Sequence, residues 1–114
     1  MTMKDIIQVQ TTTDQQELAL AIARDLVRSG LAACVQIGGP ITSVYRWMGN
    51  VDTAAEWTCT AKTTTDLYSA VERRIRQLHT YEEPEIIVVD VTGGRHGSTI
   101  LRETNTYLRS SVGS

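Results

Sequence analysis

The stretch from Leu31 to Thr64 constrains the fold of this chain most, because its centre has the pattern of a long β-hairpin. Side chains along each arm alternate at the two-residue period of a strand, so that each arm has two distinct faces. One face carries Ile41, Ser43, Tyr45 and Trp47 on the first arm, and Trp57, Cys59 and Ala61 share a face of the returning arm. Gly49-Asn50 tolerates positive φ and places the turn nearby. Both tryptophans of a chain without phenylalanine lie on the hairpin, so we expect a second surface to cover Tyr45, Trp47 and Trp57.

A glycine-rich break precedes the hairpin. Gly38-Gly39-Pro40 interrupts the extended pattern, since glycine weakens a strand and proline cannot donate to its ladder. We therefore expect Ala32 to Ile37 to form a separate, earlier strand.

The sequence Thr-Thr-Thr-Asp occurs twice, and each copy joins a predicted strand to a predicted helix. The first strand spans Asp5 to Thr11, and the helix after it begins at Asp14, which has the capping-box spacing to Glu17. Gly30 suits a left-handed helix end. The apolar stripe of this helix consists of Leu18, Ala19, Ile22, Ala23, Leu26 and Val27, at spacings of three and four residues.

The second copy precedes a helix whose apolar positions are Leu67, Val71, Ile75 and Leu78. This helix ends near His79, because Pro84 and the residue before it cannot continue it. The near-continuous apolar run from Ile86 to Val91 predicts a strand that is buried on both faces or central in a sheet. A loop from Gly93 to Gly97, a cap at Ser98 and a weakly amphipathic helix through Leu101, Thr104 and Leu108 follow.

These elements have the order βαββαβ and end in a helix. That order predicts an α+β fold, the ferredoxin-like sandwich, in which one antiparallel sheet carries helices on one face. At 114 residues, the chain forms a single domain, residues 1–114. The other face of such a sheet is uncovered, so we expect self-association.

Composition argues against several partners. A net charge of -2 and a pI near 5.6 give no electrostatic reason to bind nucleic acid or an anionic membrane. The first residues contain no apolar leader, and no run approaches the roughly 18 apolar residues of a membrane span. We therefore expect a cytoplasmic protein. In a reducing cytosol Cys34 and Cys59 are free thiols, with a disulfide between their strands as the alternative.

Four motifs, in order along the chain, resemble those of the CutA1 divalent-cation tolerance proteins. They are Leu31 to Val35, Ile41 to Trp47 with Gly49, Lys62 to Thr64, and Leu78 to Ile86. The resemblance covers nearly the whole chain. It implies a ferredoxin-like subunit in a compact homotrimer similar to the nitrogen-regulatory PII proteins, in which each long hairpin extends the sheet of its neighbour. It also implies a link to copper tolerance and divalent-metal binding, without an established catalytic activity.

Three positions depart from that family's pattern. Gln10 stands where bacterial copper-tolerance members often have a cysteine, and Thr80 stands where a proline is usual. His79 is a single histidine where other members have a pair. The family's proposed metal ligands therefore carry over incompletely.

Copper sites use imidazole and thiolate ligands, and the candidates in this chain are Cys34, Cys59, His79 and His96. None has ligand spacing such as CxxC or HxxxH. Each cysteine also fits a small buried core position, and His79 also fits a helix C-terminal cap. We predict weak or moderate binding of Cu2+ or another divalent metal through His79, with Cys34 as the other candidate ligand.

An acidic loop follows His79 and contains Tyr81, Glu82, Glu83 and Glu85. Its oxygen atoms suit hard cations, and they equally suit a solvated turn. In a trimer, this loop, Lys62 and the two Thr-Thr-Thr-Asp junctions would line the clefts between subunits. There Lys62 would bind an anion beside helix N-terminal amides, or would simply pair with a glutamate such as Glu85.

The sequence contains no nucleophile-base pair, GxSxG, P-loop or GxGxxG motif, so we expect no enzyme. Two hypotheses remain. One is a homotrimeric, heat-resistant protein that binds or responds to a divalent metal. The other is a PII-like trimer that binds a small anionic ligand between subunits and signals to a partner.

Overall fold

The computed structural model describes residues 5–93, and its elements follow the predicted order βαββαβ. The strands are β1 (Ile6–Thr13), β2 (Cys34–Trp47), β3 (Asn50–Thr64) and β4 (Ile86–Asp90), and the helices are α1 (Gln16–Arg28) and α2 (Tyr68–Leu78), with a 3-10 turn at Thr65–Leu67. The strands form one antiparallel sheet in the order β2-β3-β1-β4. This arrangement confirms the ferredoxin-like fold. The predicted loop after Gly93 and the predicted last helix lie outside the described residues.

The core lies between one face of the sheet and the two helices. Buried residues alternate with half-buried ones along the whole of β1, so one side of this strand faces the helices. The largest core side chains, Ile7, Val9, Ile22, Leu26, Val71 and Ile75, are at most 1% exposed. Val27 is the exception to the predicted apolar stripe of α1, since 37% of it is exposed. Neither α1 nor α2 is long and apolar enough to cross a membrane.

β2 is one continuous strand, so the predicted break at Gly38-Gly39-Pro40 is wrong. The register with β3 shifts by one residue there, and both Gly39 and Pro40 lie opposite Trp57. Such a β-bulge lets a strand continue past an extra residue. Gly39 has a φ of 142°, and a Cβ added to it would lie 2.7 Å from Trp57 Cδ1, so this position requires glycine.

The bulge changes which residues of the two strands share a face. Before it, Ile37 pairs with Cys59 on the side that the helices cover. After it, Ile41 pairs with Glu56, whose side chain lies on the opposite side of β3. Tyr45 and Trp47 follow Ile41 at two-residue spacing, so they lie on the side away from the helix-covered core.

β2 and β3 continue beyond the rest of the sheet as a two-stranded ribbon, because β1 ends at Thr13 opposite Trp57. The ribbon turns at Met48 and Gly49, whose φ angles are 50° and 83°, one residue before the predicted Gly49-Asn50. Apolar side chains along the ribbon are exposed within the subunit. They are Ile41 (40%), Val44 (67%), Tyr45 (42%), Trp47 (62%), Met48 (84%) and Val51 (68%).

The end of α1 agrees with the sequence prediction, and its beginning does not. Gly30 has a φ of 77° and follows the last turn, as expected. The N-cap residue is Gln15 and no side chain caps the helix, so the predicted capping box of Asp14 and Glu17 is wrong. β1 pairs with β3 as far as Thr13, two residues further than predicted, which shifts the helix start. Instead, Thr13 Oγ1 accepts the Gln15 N–H at 3.3 Å.

β4 lies at an edge of the sheet, so its predicted burial on both faces or in the centre is wrong. Within residues 5–93 it pairs with β1 alone. Its apolar residues Ile87, Val88 and Val89 are 44%, 41% and 47% exposed. The continuous apolar run therefore stands on an uncovered edge of the described subunit, where an assembly can cover it.

Candidate functional site

The loop after α2 closes over the end of β1 and positions His79. α2 ends as predicted, and His79 takes an extended conformation as its C-cap, with its N–H donating to Ile75 O at 2.9 Å. Only 9% of His79 is exposed. Its Nε2 lies 2.7 Å from Thr12 O, and its Nδ1 accepts the Tyr81 N–H at 3.0 Å.

These two contacts determine the tautomer of His79. A backbone N–H can only donate, so Nδ1 carries no proton, and Nε2 carries the proton that it donates to Thr12 O. Both ring nitrogens are therefore engaged, and the imidazole joins β1 to the loop. For His79 to bind a metal, its ring must release either Tyr81 or Thr12.

Tyr81 connects the same loop to the ribbon. Its ring lies 4.7 Å from that of His79, centroid to centroid, and its hydroxyl donates to Glu56 Oε2 at 3.1 Å. Burial raises the pKa of Tyr81 to about 12, with further contributions from the hydrogen bond and charge of Glu56, from Asp14 and from Tyr45. At neutral pH the phenol is therefore protonated and acts as a hydrogen-bond donor.

The carboxylates of the loop are exposed, in contrast to the buried His79 ring. Glu82, Glu83 and Glu85 are exposed, and none of them forms an ion pair with another residue between 5 and 93. The Glu85 backbone is held in place, since its carbonyl accepts Thr11 Oγ1 at 2.8 Å. The loop thus presents free carboxylate groups on a fixed backbone.

Lys62 and Cys34 lie beside each other on the open face of the sheet, away from the helices. Lys62 pairs with Cys34 on β2 and with Gln8 on β1, and all three are half-buried. Its chain neighbours Ala61 and Thr63 are buried on the helix side, so the Lys62 side chain points to the opposite face. Cys34 therefore does not belong to the core beneath the helices.

A single subunit does not bring the predicted ligands together. Cys34 and Lys62 share a row of the sheet with Gln8, whereas His79 contacts β1 four residues further on, a separation of roughly 13 Å. β1 lies between β3 and β4, so Glu85 is not on a strand adjacent to Lys62, and the two side chains form no ion pair. Between residues 5 and 93, no group of three or more His, Cys, Asp or Glu side chains could hold a metal ion.

The three aromatic residues predicted for a subunit interface occupy two environments. Trp57 is half-buried and packs against the core on the helix side, next to Gly39. Tyr45 and Trp47 lie on the other side of the ribbon and are 42% and 62% exposed. Of the three aromatic residues, Tyr45 and Trp47 are therefore the ones that remain exposed in the subunit.

Cys59 is a core residue, and both Cys59 and Cys34 are free thiols, as expected. Cys59 is 2% exposed, and its Sγ donates to Ala19 O at 3.3 Å. Burial raises the pKa of its thiol to about 11. Since the thiolate is the form that binds metals, Cys59 is a poor ligand at neutral pH.

Sequence patterns do not identify Glu56 and Asp14 as members of this site. The alternation of the hairpin assigns Glu56 only to a strand face. Its contact with Tyr81 joins residues 25 positions apart and depends on how the loop closes over the sheet. A local pattern cannot indicate such a contact.

A model of the CutA1 divalent ion tolerance protein family matches residues 7–98 of this chain. The divalent-cation tolerance protein CutA of Thermus thermophilus is 35% identical over 111 residues, which cover 97% of this chain and 100% of that protein. The chloroplastic protein CutA 1 of Oryza sativa subsp. japonica is 36% identical over 88 residues, or 77% of this chain and 50% of that protein.

Solved structures agree with these matches. The crystal structure of the divalent ion tolerance protein CutA1 from Ehrlichia chaffeensis has a TM-score of 0.84 and 33% identity, covering 94% of this chain and 98% of that chain. The periplasmic divalent cation tolerance protein CutA from Archaeoglobus fulgidus has a TM-score of 0.78 and 27% identity, again covering 94% and 98%. The similarity in both comparisons extends over nearly the whole chain.

Proposed function

Because the chain belongs to the CutA1 divalent ion tolerance protein family, we propose that it acts as a homotrimer that binds copper or another divalent metal. The family is one of tolerance proteins and not of enzymes. Assembly and metal binding are separate parts of the proposal, and different observations support them. Relatives carry chloroplastic and periplasmic names, so a cytoplasmic location for this chain is also a proposal.

The apolar surface of the projecting ribbon is the observation on which the proposed trimer rests. Val44, Trp47 and Val51 are each more than three-fifths exposed in the subunit, although a protein of this size can bury such side chains. Removing apolar area from water contributes roughly 25 cal/mol per Å², so a few of these residues supply several kcal/mol per interface before association costs. Self-association covers the ribbon without requiring another protein.

The edge of β4 offers a surface that such a ribbon can meet. Within residues 5–93, one side of β4 has no strand partner, and its apolar residues are exposed. An extended segment that adds to a sheet edge gains backbone hydrogen bonds and pockets for alternate side chains. We propose that the ribbon of each subunit adds to the β4 edge of its neighbour and so extends the neighbour's sheet. Repeated around a threefold axis, this contact closes a ring of three subunits.

The metal site in this proposal lies between subunits. One subunit does not place three suitable donors together within the described residues, and the imidazole of His79 is fully hydrogen-bonded. The loop carboxylates of Glu82 and Glu85 are exposed and free to approach a neighbouring chain. A tight site needs three or four donors, so binding that also costs His79 a hydrogen bond is weak or moderate.

Two measurements test the two parts separately. Light scattering of the purified protein should give the mass of a trimer. A mass near 12.6 kDa at micromolar concentration is that of a monomer and would overturn the proposed trimer. Calorimetric titration of metal-free protein with copper should show weakened binding in His79→Ala and unchanged binding in His96→Ala, which alters the other histidine of the sequence. Unchanged binding in His79→Ala would exclude this ligand, and loss in Cys34→Ser alone would move the site to the start of β2.

Lys62 supports a second candidate function, the binding of a small anion between subunits. It is half-buried on the open face, and no carboxylate between residues 5 and 93 forms an ion pair with it. A half-buried ammonium without a counter-ion favours an anionic ligand, because a paired charge is less costly to bury. Titration with ATP and with inorganic phosphate should give binding that Lys62→Gln removes and Arg46→Gln retains. Equal binding by both variants would exclude Lys62.

A further inference from the structure

The outer surface of the helix layer carries a group of arginines, and neither the trimer nor the metal proposal uses it. Arg24 and Arg28 lie on α1, and Arg73 and Arg74 lie on α2, and all four are exposed. We call these four residues the arginine surface. The helices cover one face of the sheet, so the arginine surface lies on the opposite side of the subunit from the open face.

An ion pair joins the two helices that carry the arginine surface. Asp25 accepts Arg74 Nε at 2.6 Å and Arg74 Nη2 at 3.1 Å, which ties α2 to α1. Arg24 and Arg28 lie within one helical turn of Asp25 on α1, and Arg73 adjoins Arg74 on α2. Adjacent residues of a helix project about 100° apart, so Arg24 and Arg73 lie on the outer faces of the two helices that this ion pair joins.

Three of these arginines have no counter-ion within the described chain. The carboxylate of Asp25 is occupied by Arg74, and Glu72 is occupied by Arg76 at 3.2 Å. Arg24, Arg28 and Arg73 form no ion pair with any residue between 5 and 93. The surface thus has a local excess of positive charge, although the whole chain has a net charge of -2.

Helix stability does not account for this excess. Arg28 lies in the last turn of α1, where a cation interacts favourably with the helix dipole. Arg24 lies one turn earlier, and like charges four residues apart destabilise a helix by a few tenths of a kcal/mol. Arg73 lies in the middle of α2, with Ser69 and Gln77 as its neighbours at four-residue spacing. Arg24 and Arg73 are therefore available to bind an external group.

Apolar side chains adjoin the arginines on α1. Leu20 precedes Arg24 by four residues and Val27 follows it by three, so both are its neighbours on the helix surface. They are 36% and 37% exposed. An anionic partner that also contacts Leu20 and Val27 needs apolar groups of its own, which an acidic protein segment has and a phosphate backbone lacks.

We propose that the arginine surface is a docking site for an acidic protein segment with interspersed apolar side chains, such as an amphipathic helix rich in glutamate. Guanidinium groups bind carboxylates bidentately, as Arg74 already binds Asp25. Leu20 and Val27 would contact the apolar side chains of that segment. The proposal is independent of metal binding and of the proposed trimer.

Charge argues against self-association through the arginine surface. A second copy that docked through the same surface would bring like charges together in a two-fold contact. Such a contact does not supply the carboxylates that the surface lacks.

The test uses a fluorescein-labelled synthetic helix of Glu, Leu and Ala, followed by fluorescence anisotropy on the full chain. The same helix with every Glu replaced by Gln is the control probe. The acidic helix should bind more weakly as salt rises, because ion pairs at exposed sites are screened, and the Gln helix should bind at least about tenfold more weakly. Equal binding of the two probes would overturn the proposal.

The protein variants are Arg24→Glu with Arg73→Glu, and the matched control is Arg46→Glu on the ribbon. The new carboxylates would lie four residues before Arg28 and three before Arg76, at spacings that favour helices, so folding should be retained. The double variant should weaken binding about tenfold and Arg46→Glu should not. Equal loss in both would indicate a non-specific charge effect. The same measurement is made with a thymidine oligonucleotide and with phosphatidylserine vesicles. If one of these binds, the acidic helix does not, and the double variant loses that binding, then the surface recognises phosphate and the proposal is overturned.

Discussion

The Tyr81 hydroxyl donates to Glu56 Oε2 at 3.1 Å and so fastens the loop after α2 to the point where the ribbon leaves the sheet. We expect Tyr81→Phe to lower the free energy of unfolding by about 1 kcal/mol, because it removes one hydrogen bond to a charged acceptor and keeps the ring. Tyr45→Phe is the matched control, since it removes a hydroxyl from the same neighbourhood. Urea unfolding at a fixed protein concentration measures both, and equal losses would show that the bond to Glu56 is not the cause.

The raised pKa of Tyr81, about 12, also predicts how stability depends on alkaline pH. A group whose pKa is higher in the folded than in the unfolded state contributes stability that is complete below the unfolded value, here 10.0, and is lost as pH rises through the folded value. The wild type should therefore lose stability between about pH 10 and 12 more steeply than Tyr81→Phe. Parallel curves for the two proteins would contradict this assignment.

The glycine of the β-bulge gives a prediction with an internal control. Gly39→Ala should destabilise the protein by about 1 to 3 kcal/mol, since φ is 142° and the added Cβ would lie 2.7 Å from Trp57 Cδ1 and 2.9 Å from Glu56 O. Gly49→Ala, at a φ of 83°, meets no atom within 4 Å and should cost about 1 kcal/mol. Thermal unfolding of both variants measures the difference, and a smaller loss for Gly39→Ala would contradict the clash.

The sequence predicts the order and type of the elements, because each has a periodicity of its own. Prediction from sequence is wrong where the structure depends on contacts between different elements. The bulge at Gly39 has the same composition as a loop, and only pairing with β3 shows that the strand continues. The apolar run of β4 is typical of a central strand, but strand order is set by the fold as a whole.

The candidate site shows the same limit. The motifs correctly place His79 at the end of α2, and they give no information about its two ring contacts with Thr12 and Tyr81. Those contacts decide whether the imidazole has a free nitrogen. The contact with Thr12 joins residues 67 positions apart, and the contact with Tyr81 depends on the exact conformation of the loop after α2, so composition and spacing near His79 cannot predict them.

Thiol reactivity should distinguish the two cysteines. Cys59 should not react with Ellman's reagent in the native protein, because it is 2% exposed and burial raises its thiol pKa to about 11. Cys34 is half-buried on the open face. If the proposed trimer covers that face, the labelling of Cys34 should slow as protein concentration rises. The Cys34→Ser variant isolates Cys59. Rapid labelling of the native Cys34→Ser variant would show that the core opens readily around α1.

The ribbon gives the most direct prediction about assembly. Trp47 is 62% exposed in the subunit, so its replacement by serine should leave a separated subunit almost equally stable. If the indole is buried between subunits, Trp47→Ser removes roughly 2 kcal/mol per subunit from the trimer and shifts it toward monomer. Val27→Ser on the outer side of α1 alters a residue that is 37% exposed and lies away from the ribbon, so it should leave assembly unchanged. Analytical ultracentrifugation over a range of concentrations compares the two variants with the wild type. A trimer of undiminished stability in Trp47→Ser would exclude this residue from the interface and leave Val44 and Val51, on the other side of the ribbon, as the apolar residues to test.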